Sequence, residues 1–436
     1  MDPILVGIVG SVVMIALFLM GMHVAFAMAL IGFLGFSFLS SFKSGISLLC
    51  RDIFEQFASY PLSAIPMFML MGAYAYAAGM GERLYEASQV VFGRLKGGLA
   101  IATVMGCAGF AAICGSPTAT AAAMGRISIP EMKKYGYPEA LATGVVAAGG
   151  ILGPLIPPST TLIVYGFLTE QSIGKLFIAG LVPGLILAGL YALSVVVLSK
   201  ILKLQETAPG RVRYNFKQKF LAILRCADVL LLFLIVILGL YFGFFTPTQA
   251  GGIGAAGALA IGIFRGSITR KAFIEATKDA LMTSCMVLTI IASAMVFGHF
   301  LALTNIPGLL GTWVSRVDLP PLGVLLFTIV IFCIGGCFID ALPLMMLVIP
   351  LFYPLILKAG YDPIWFGIVV VVLVGIGVLT PPVGVNVYVV KGIAPEVPIQ
   401  VIFKGTYPFL IALFTMLFLL LLFPELATWL PSVLSI

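Results

Sequence analysis

The sequence predicts an all-α membrane protein made of two inverted-topology repeats, each with five crossings, a re-entrant hairpin and a broken helix. Three observations predict it. Of 436 residues, 61% are hydrophobic and 9% charged, so a soluble particle of this size would lack the polar residues to cover its own surface. Twelve apolar stretches succeed one another, two of them cut centrally by a small or polar patch. Glycine and proline motifs then recur at a constant spacing of 224 residues.

The first half opens with runs at 4–21, 23–41 and 58–79. Only Asp2 carries charge ahead of the first run, with no basic start and no small-residue cleavage site, so the run reads as a permanent span rather than an export signal. The stretch 98–132 comes next and is interrupted at Cys114–Thr120. Its arms, 98–113 and 121–132, would measure about 24 and 18 Å as helices. That is short for hydrocarbon about 30 Å thick, so the stretch reads as a hairpin entering and leaving on one side. Two tilted crossings are the alternative. Crossings at 138–168 and 173–198 close the half.

A linker, 199–224, separates the halves, and 225–436 repeats the order. Crossings fall at 225–243, 248–264 and 279–303, a second interrupted stretch at 322–357, and crossings at 363–390 and 403–423. Under the 224-residue shift Pro130 meets Pro354, Gly136-Tyr137 meets Gly360-Tyr361, Gly153 meets Gly377, and Pro157-Pro158 meets Pro381-Pro382. With one inserted residue, Gly180 and Pro183 meet Gly405 and Pro408. Five crossings is an odd number, so the second half lies upside down relative to the first, the design of secondary transporters.

Charge orients the chain. With the amino terminus outside, only Lys43, Arg51, Lys175, Arg316 and Lys358 of the 24 basic residues fall on the outer side. The positive-inside rule therefore places both termini outside, and explains the net charge of +7 without a nucleic-acid surface. Seven cysteines lie mostly within apolar runs, as small hydrophobes do, and two histidines, His23 and His299, are too few for an imidazole metal centre. Both histidines read as packing residues, with a proton relay as the alternative. Arg126 reads as a side chain reaching for the inner surface.

Irregular backbone at membrane depth is tolerated only where it lines protein or a water-filled cavity. Four such places appear: the tip Cys114–Thr120, the break Gly153–Thr161, the tip Gly335–Pro343 and the break Gly375–Asn386. Tandem proline removes donors and clashes with the preceding turn, so the helix opens there. An opened helix offers carbonyl oxygens to a hard cation such as sodium and amide N–H groups to an anion. The first cation set comprises Gly115, Ser116, Thr118, Gly153, Pro158 and Ser159; the second comprises Gly336, Asp340, Gly377, Thr380 and Val383. The solute lies between them, against Ser116, Pro117, Thr118, Ser159, Thr160, Asp340, Pro382 and Asn386. Asp340, which the repeat sets opposite Ser116, reads as the one carboxylate deep in the apolar frame, to be paired, hydrated or ion-bound. Its other reading is an acceptor that holds the hairpin tip, and Ser159, Thr160 and Asn386 could likewise be local helix caps.

Four of these stretches together resemble the large membrane subunit of tripartite ATP-independent periplasmic (TRAP) transporters. They are the tip Gly115–Thr120 followed by Ile129–Met132, the run Gly153–Ser159, the stretch Ser172–Gly184, and Thr380–Asn386. The resemblance covers nearly the whole chain. It implies a bacterial inner-membrane importer of organic acids such as C4-dicarboxylates or sialic acid, driven by about two or more sodium ions without an organic cofactor. It also implies an elevator movement of transport elements (98–198 and 322–436) against a scaffold (1–97 and 225–321). The implied partners are a periplasmic substrate-binding protein and a small four-helix membrane subunit, the latter either a separate chain or a part not included in this sequence.

The residues exclude other classes. No GxxxxGK[ST] loop occurs, so an ATP motor is disfavoured, and a membrane enzyme would need a deep catalytic dyad or metal cluster. A passive channel fits poorly with paired hairpin tips facing broken helices. A proton-coupled organic-anion transporter or exchanger, with Asp340 carrying the proton, is the nearest rival.

Overall fold

A computed structural model describes residues 2–202, 215–306, 308–309 and 320–433. Most of the linker, with Lys203, Arg211 and Arg213, and the loop residue Arg316 lie outside these residues. Every regular element among the described residues is helical.

Each half begins with lipid-type helices. Pro3–Leu19 and Ala227–Tyr241 are almost wholly apolar, yet Leu5, Ile8, Val12, Leu231 and Leu234 are exposed, as expected where hydrocarbon is the solvent. The most completely buried helices belong to the first hairpin and the broken helices. Every residue of Pro363–Gly377 after the first proline is buried, and so are most of Gly98–Cys114 and Glu139–Gly149.

The hairpins form as the sequence indicates. Gly98–Cys114 and Pro117–Lys134 are joined by Gly115 and Ser116, and Pro321–Gly336 and Ala341–Lys358 by Cys337–Asp340. The crossing expected at 138–168 is broken into Glu139–Gly149, the single turn Leu152–Leu155 and Thr160–Thr169, with a 40° bend. The one expected at 363–390 divides into Pro363–Gly377 and Val385–Ile393. Both prolyl–prolyl bonds, Pro157-Pro158 and Pro381-Pro382, are cis.

Among the described residues four helices are by themselves long and apolar enough to cross a bilayer, Ile173–Ile201, Arg270–Leu303, Ala341–Lys358 and Ile399–Leu422, and bent pairs raise the number to as many as seven. Several of the remaining apolar helices are shorter than the stretches they come from: Val24–Leu39, for example, has 16 residues and covers about 24 Å. Although Ala341–Lys358 is long enough to span, it follows Pro321–Gly336 after only Cys337–Asp340, and the end of that helix, Gly336, is held against Gly377 at the end of a buried helix, which is the placement of a hairpin arm.

Helices were hidden in segments read as loops. Phe42–Ala58, Met80–Phe92 and Phe216–Leu224 are amphipathic, so their average hydropathy is low although one face is apolar. The first carries Asp52, a second deep carboxylate: it is 1% exposed and lies 2.8 Å from His299 Nδ1. In the second repeat the counterpart of this helix is fused to the next, giving the 34-residue helix Arg270–Leu303. In the first, Pro61 interrupts the run and a short 3₁₀ turn, Pro61–Ser63, intervenes.

The repeats interlock where glycine allows backbones to touch. A Cβ on Gly144 would lie 2.2 Å from the carbonyl of Gly405, and one on Gly405 only 1.8 Å from Ala140 O. The broken helix of the first repeat therefore crosses Ile399–Leu422 of the second at backbone contact.

Candidate functional site

The first hairpin tip lies directly on the first helix break. Gly115 has φ +63°, a conformation that costs glycine little, and it turns the chain so that Ser116 can cap Pro117–Lys134. Ser116 Oγ accepts from Ala119 N at 3.4 Å and lies 3.3 Å from Thr118 Oγ1. Across the gap, Thr160 donates to Gly115 O from both its N–H (3.3 Å) and its hydroxyl (3.2 Å). Ser159 caps Thr160–Thr169 by accepting from Leu162 N at 3.2 Å. A Cβ on Gly153 would sit 2.9 Å from Ser116 O, so only glycine lets the break approach the tip this closely.

Oxygen atoms without donors lie on the tip helix and at both breaks. Pro158 O would be 2.3 Å from a Cβ on Gly115, and no N–H of the described chain donates to it. Thr120 Oγ1 and Asn386 Oδ1 are buried without a hydrogen-bond partner. Neutral hydroxyl, amide and carbonyl oxygens are what a hard monovalent cation takes, so these residues fit a sodium ion. Among the described residues no cluster of His, Cys, Asp and Glu suited to a transition metal occurs.

The second tip meets the second break with a different register. Gly336 and Gly377 touch through their backbones: a Cβ on either would come within 2.9 Å of the other's Cα. Val383 N donates to Cys337 O at 3.2 Å, and Thr380 Oγ1 donates back to Ile376 O at 2.6 Å. Gly336 lies one helical turn before Asp340, whereas the repeat shift would have set Asp340 itself against Gly377. The Asp340 carboxylate instead accepts from Ala341 N at 2.8 Å and caps Ala341–Lys358. It has no hydrogen bond to Gly377–Asn386.

Asn386 belongs to both sites. It is fully buried, its N–H donates to Val378 O at 3.2 Å, and its side-chain amide reaches Ala147 O of the first repeat at 3.1 Å. Pro117 O and Asn386 Nδ2 both face Gly150, 2.5 and 2.7 Å from where its Cβ would be. Pro117 and Asn386 thus meet at Gly150 between the repeats, whereas Ser159 and Thr160 lie against Gly115 at the first tip, and Pro382 lies in the turn before Asn386.

A cleft of about 620 Å³ opens onto the first tip. Its floor holds Cys114, Ser116 and Thr118; its walls are Ala119–Arg126 of the hairpin, Met69–Ala77, and the face Ala272–Thr283 of the long helix. Arg126, which is exposed, lines this cleft and donates from Nη1 to Tyr76 Oη at 3.1 Å. Glu275 and Asp279 line the facing wall. Their sequence neighbourhood reads as a solvated basic loop, and only the helical spacing of four between them signals a shared face.

The chain is similar to known proteins in both sequence and fold. The profile of the tripartite ATP-independent periplasmic transporter DctM component matches residues 11–426. The chain belongs to the DctM family. The C4-dicarboxylate TRAP transporter large permease protein DctM of Pseudomonas aeruginosa is 36% identical over 389 residues, 88% of this chain and 89% of that protein. The sialic acid TRAP transporter large permease protein SiaM of Vibrio cholerae is 30% identical over 413 residues, covering 94% and 95%. The YdaH transporter of Alcanivorax borkumensis shares the fold at a TM-score of 0.62, with 17% sequence identity over 88% of this chain and 89% of that one. This DctM-family chain is accordingly a multi-pass membrane component of a transporter, with the two-repeat hairpin architecture its sequence predicts.

Proposed function

We propose that this DctM-family protein imports a small organic acid across the bacterial inner membrane, driven by an inward sodium gradient. Its relatives are named for C4-dicarboxylates and sialic acid, which supports the acid class. The solute arrives from a periplasmic binding protein, and a small four-helix subunit completes the membrane complex. Both termini face the periplasm, as the basic-residue distribution favours.

The observation that carries the reading is the pairing of each hairpin tip with a helix break, which leaves Pro158 O and Asn386 Oδ1 without donors. About two or more sodium ions, bound at these oxygens, supply positive charge beside the solute. The chain's own residues do the rest. Gly115–Thr118 with Gly153–Ser159, and Gly336–Asp340 with Gly377–Val383, hold two oxygen-lined cradles on the hairpin domain. Coupling requires ion and acid together to favour an exchange of position that neither favours alone. An elevator movement of the hairpins and broken helices past the helices of 1–97 and 225–321 accomplishes that exchange.

The test is uptake into proteoliposomes holding the complex, with succinate and N-acetylneuraminate as probes, under sodium or proton gradients. Sodium-driven, saturable uptake is expected. Uptake that follows the proton gradient alone would move the reading to proton coupling. Thr118→Ala should raise the sodium concentration for half-maximal uptake severalfold, and an unchanged sodium curve would remove Thr118 from the site.

A further inference from the structure

The cleft in front of the first hairpin has two walls of opposite charge. The hairpin wall presents Thr118, Ala119, Ala122, Ala123 and Arg126. Residues 118, 122 and 126 are four apart, so they form one stripe along the helix, about 12 Å from the first Cα to the last. Hydroxyls of Ser116 and Thr118 stand at the deep end, a guanidinium at the mouth, and small apolar side chains between. The opposite wall, on Arg270–Leu303, presents Glu275 and Asp279.

Arg126 is exposed to this cleft, and one of its five N–H groups is spent on Tyr76. Among the described residues the others have no protein partner. Neither acid on the facing wall lies within ion-pair distance of it; Glu275 pairs with Lys271 on its own helix. Helical side chains lean towards the amino terminus, so the guanidinium reaches back along the stripe towards Thr118. A planar fork of donors is the geometry that takes a carboxylate in two parallel hydrogen bonds.

We infer that Arg126, held by Tyr76, binds the carboxylate of the transported acid, with the solute's second polar head at Ser116 and Thr118 and its carbon chain along the alanines. This rests on the organic-acid reading above. Glu275 and Asp279 repel an anion from the other wall, so the acid is kept on the hairpin rather than on the long helix. The solute class is a short-chain acid with a polar group at each end.

The experiment uses the reconstituted complex with succinate, a four-carbon acid with two carboxylates, and measures KM, the maximal rate and the sodium half-saturation. Arg126→Gln should raise the KM for succinate about ten- to a hundredfold, the worth of a hydrogen bond to a charged group. The sodium half-saturation should stay within twofold, since Arg126 lies outside the cation cradles. Arg126→Lys should recover part of the KM, because charge returns without the fork, and Tyr76→Phe should raise the KM less than Arg126→Gln. A sodium-dependent thermal shift that matches the unaltered protein would show that the variants are folded. If the unaltered complex takes up neither succinate nor N-acetylneuraminate under a sodium gradient, the organic-acid reading fails and this inference with it. If it does transport succinate but Arg126→Gln leaves the KM unchanged, only the assignment of Arg126 is overturned.

Discussion

The side-chain amide of Asn386 donates to Ala147 O, 3.1 Å away, and in doing so joins the two repeats at the point where the first repeat's helix breaks. Ile151 N, the ordinary α-helical donor to Ala147 O, turns instead to Ala148 O at 2.9 Å, so Asn386 supplies the hydrogen bond that the break removes.

Asn386→Ala should therefore leave a buried carbonyl unpaired and cost about 1–3 kcal/mol. The expected outcome is a lowered melting temperature in lipid nanodiscs together with a raised sodium requirement for uptake. An unaltered melting temperature would show that this amide does not hold the repeats together.

Gly144 and Gly405 set a second test. A Cβ on Gly144 would press into the Gly405 backbone, which cannot yield as a side-chain end can. Gly144→Val should destabilise by more than the 1–3 kcal/mol typical of overpacking, read as lost folded protein in fluorescence-detected size exclusion. Gly298→Ala is the control: nothing lies within 4 Å of its Cβ position, so yield should hold or rise.

Asp340 can be stripped of charge without losing its cap. Asparagine caps helices as well as aspartate does, so Asp340→Asn should leave the unfolding stability within about 0.5 kcal/mol of the original, whereas Asp340→Ala loses about 1 kcal/mol. Cation-dependent uptake should fall in both. Full sodium-dependent transport by Asp340→Asn would leave the residue with its capping role alone.

Lys133, at the end of the first hairpin, binds both Glu396, in the loop after the second broken helix, and Glu139 at 3.1 Å. The hydrogen bond from Lys133 holds the exposed Glu396 carboxyl below its ordinary value of 4.5. Burial draws the Lys133 amine down, but its hydrogen bonds to Glu396 and Glu139 outweigh this and leave it above 10.5. A lowered carboxyl contributes fully above its unfolded value and loses that contribution as pH falls through the folded one; a raised amine loses its contribution only in alkali. The wild-type melting temperature should thus drop more steeply than that of Glu396→Gln as pH falls from about 5.5 to below the ordinary carboxylate value. Parallel curves would exclude this tie.

What the sequence determined by itself was the solvent and the places where the backbone opens. Membrane burial follows from composition, which no packing detail can reverse, and tandem prolines at 157–158 and 381–382 open a helix whatever surrounds them. The repeat was legible for the same reason: glycine and proline act locally, so they leave a mark at a constant spacing. Tertiary structure decided which groups meet. It set Gly336 rather than Asp340 against Gly377, sent Asn386 across to Ala147, buried Asp52 beside His299, and turned Arg126 into a cleft facing Glu275 and Asp279. Each of these depends on how far one helix slides against another. A slide of one turn, about 5.4 Å, exchanges every partner while hardly changing the apolar area buried, so hydropathy and motif spacing carry no record of it.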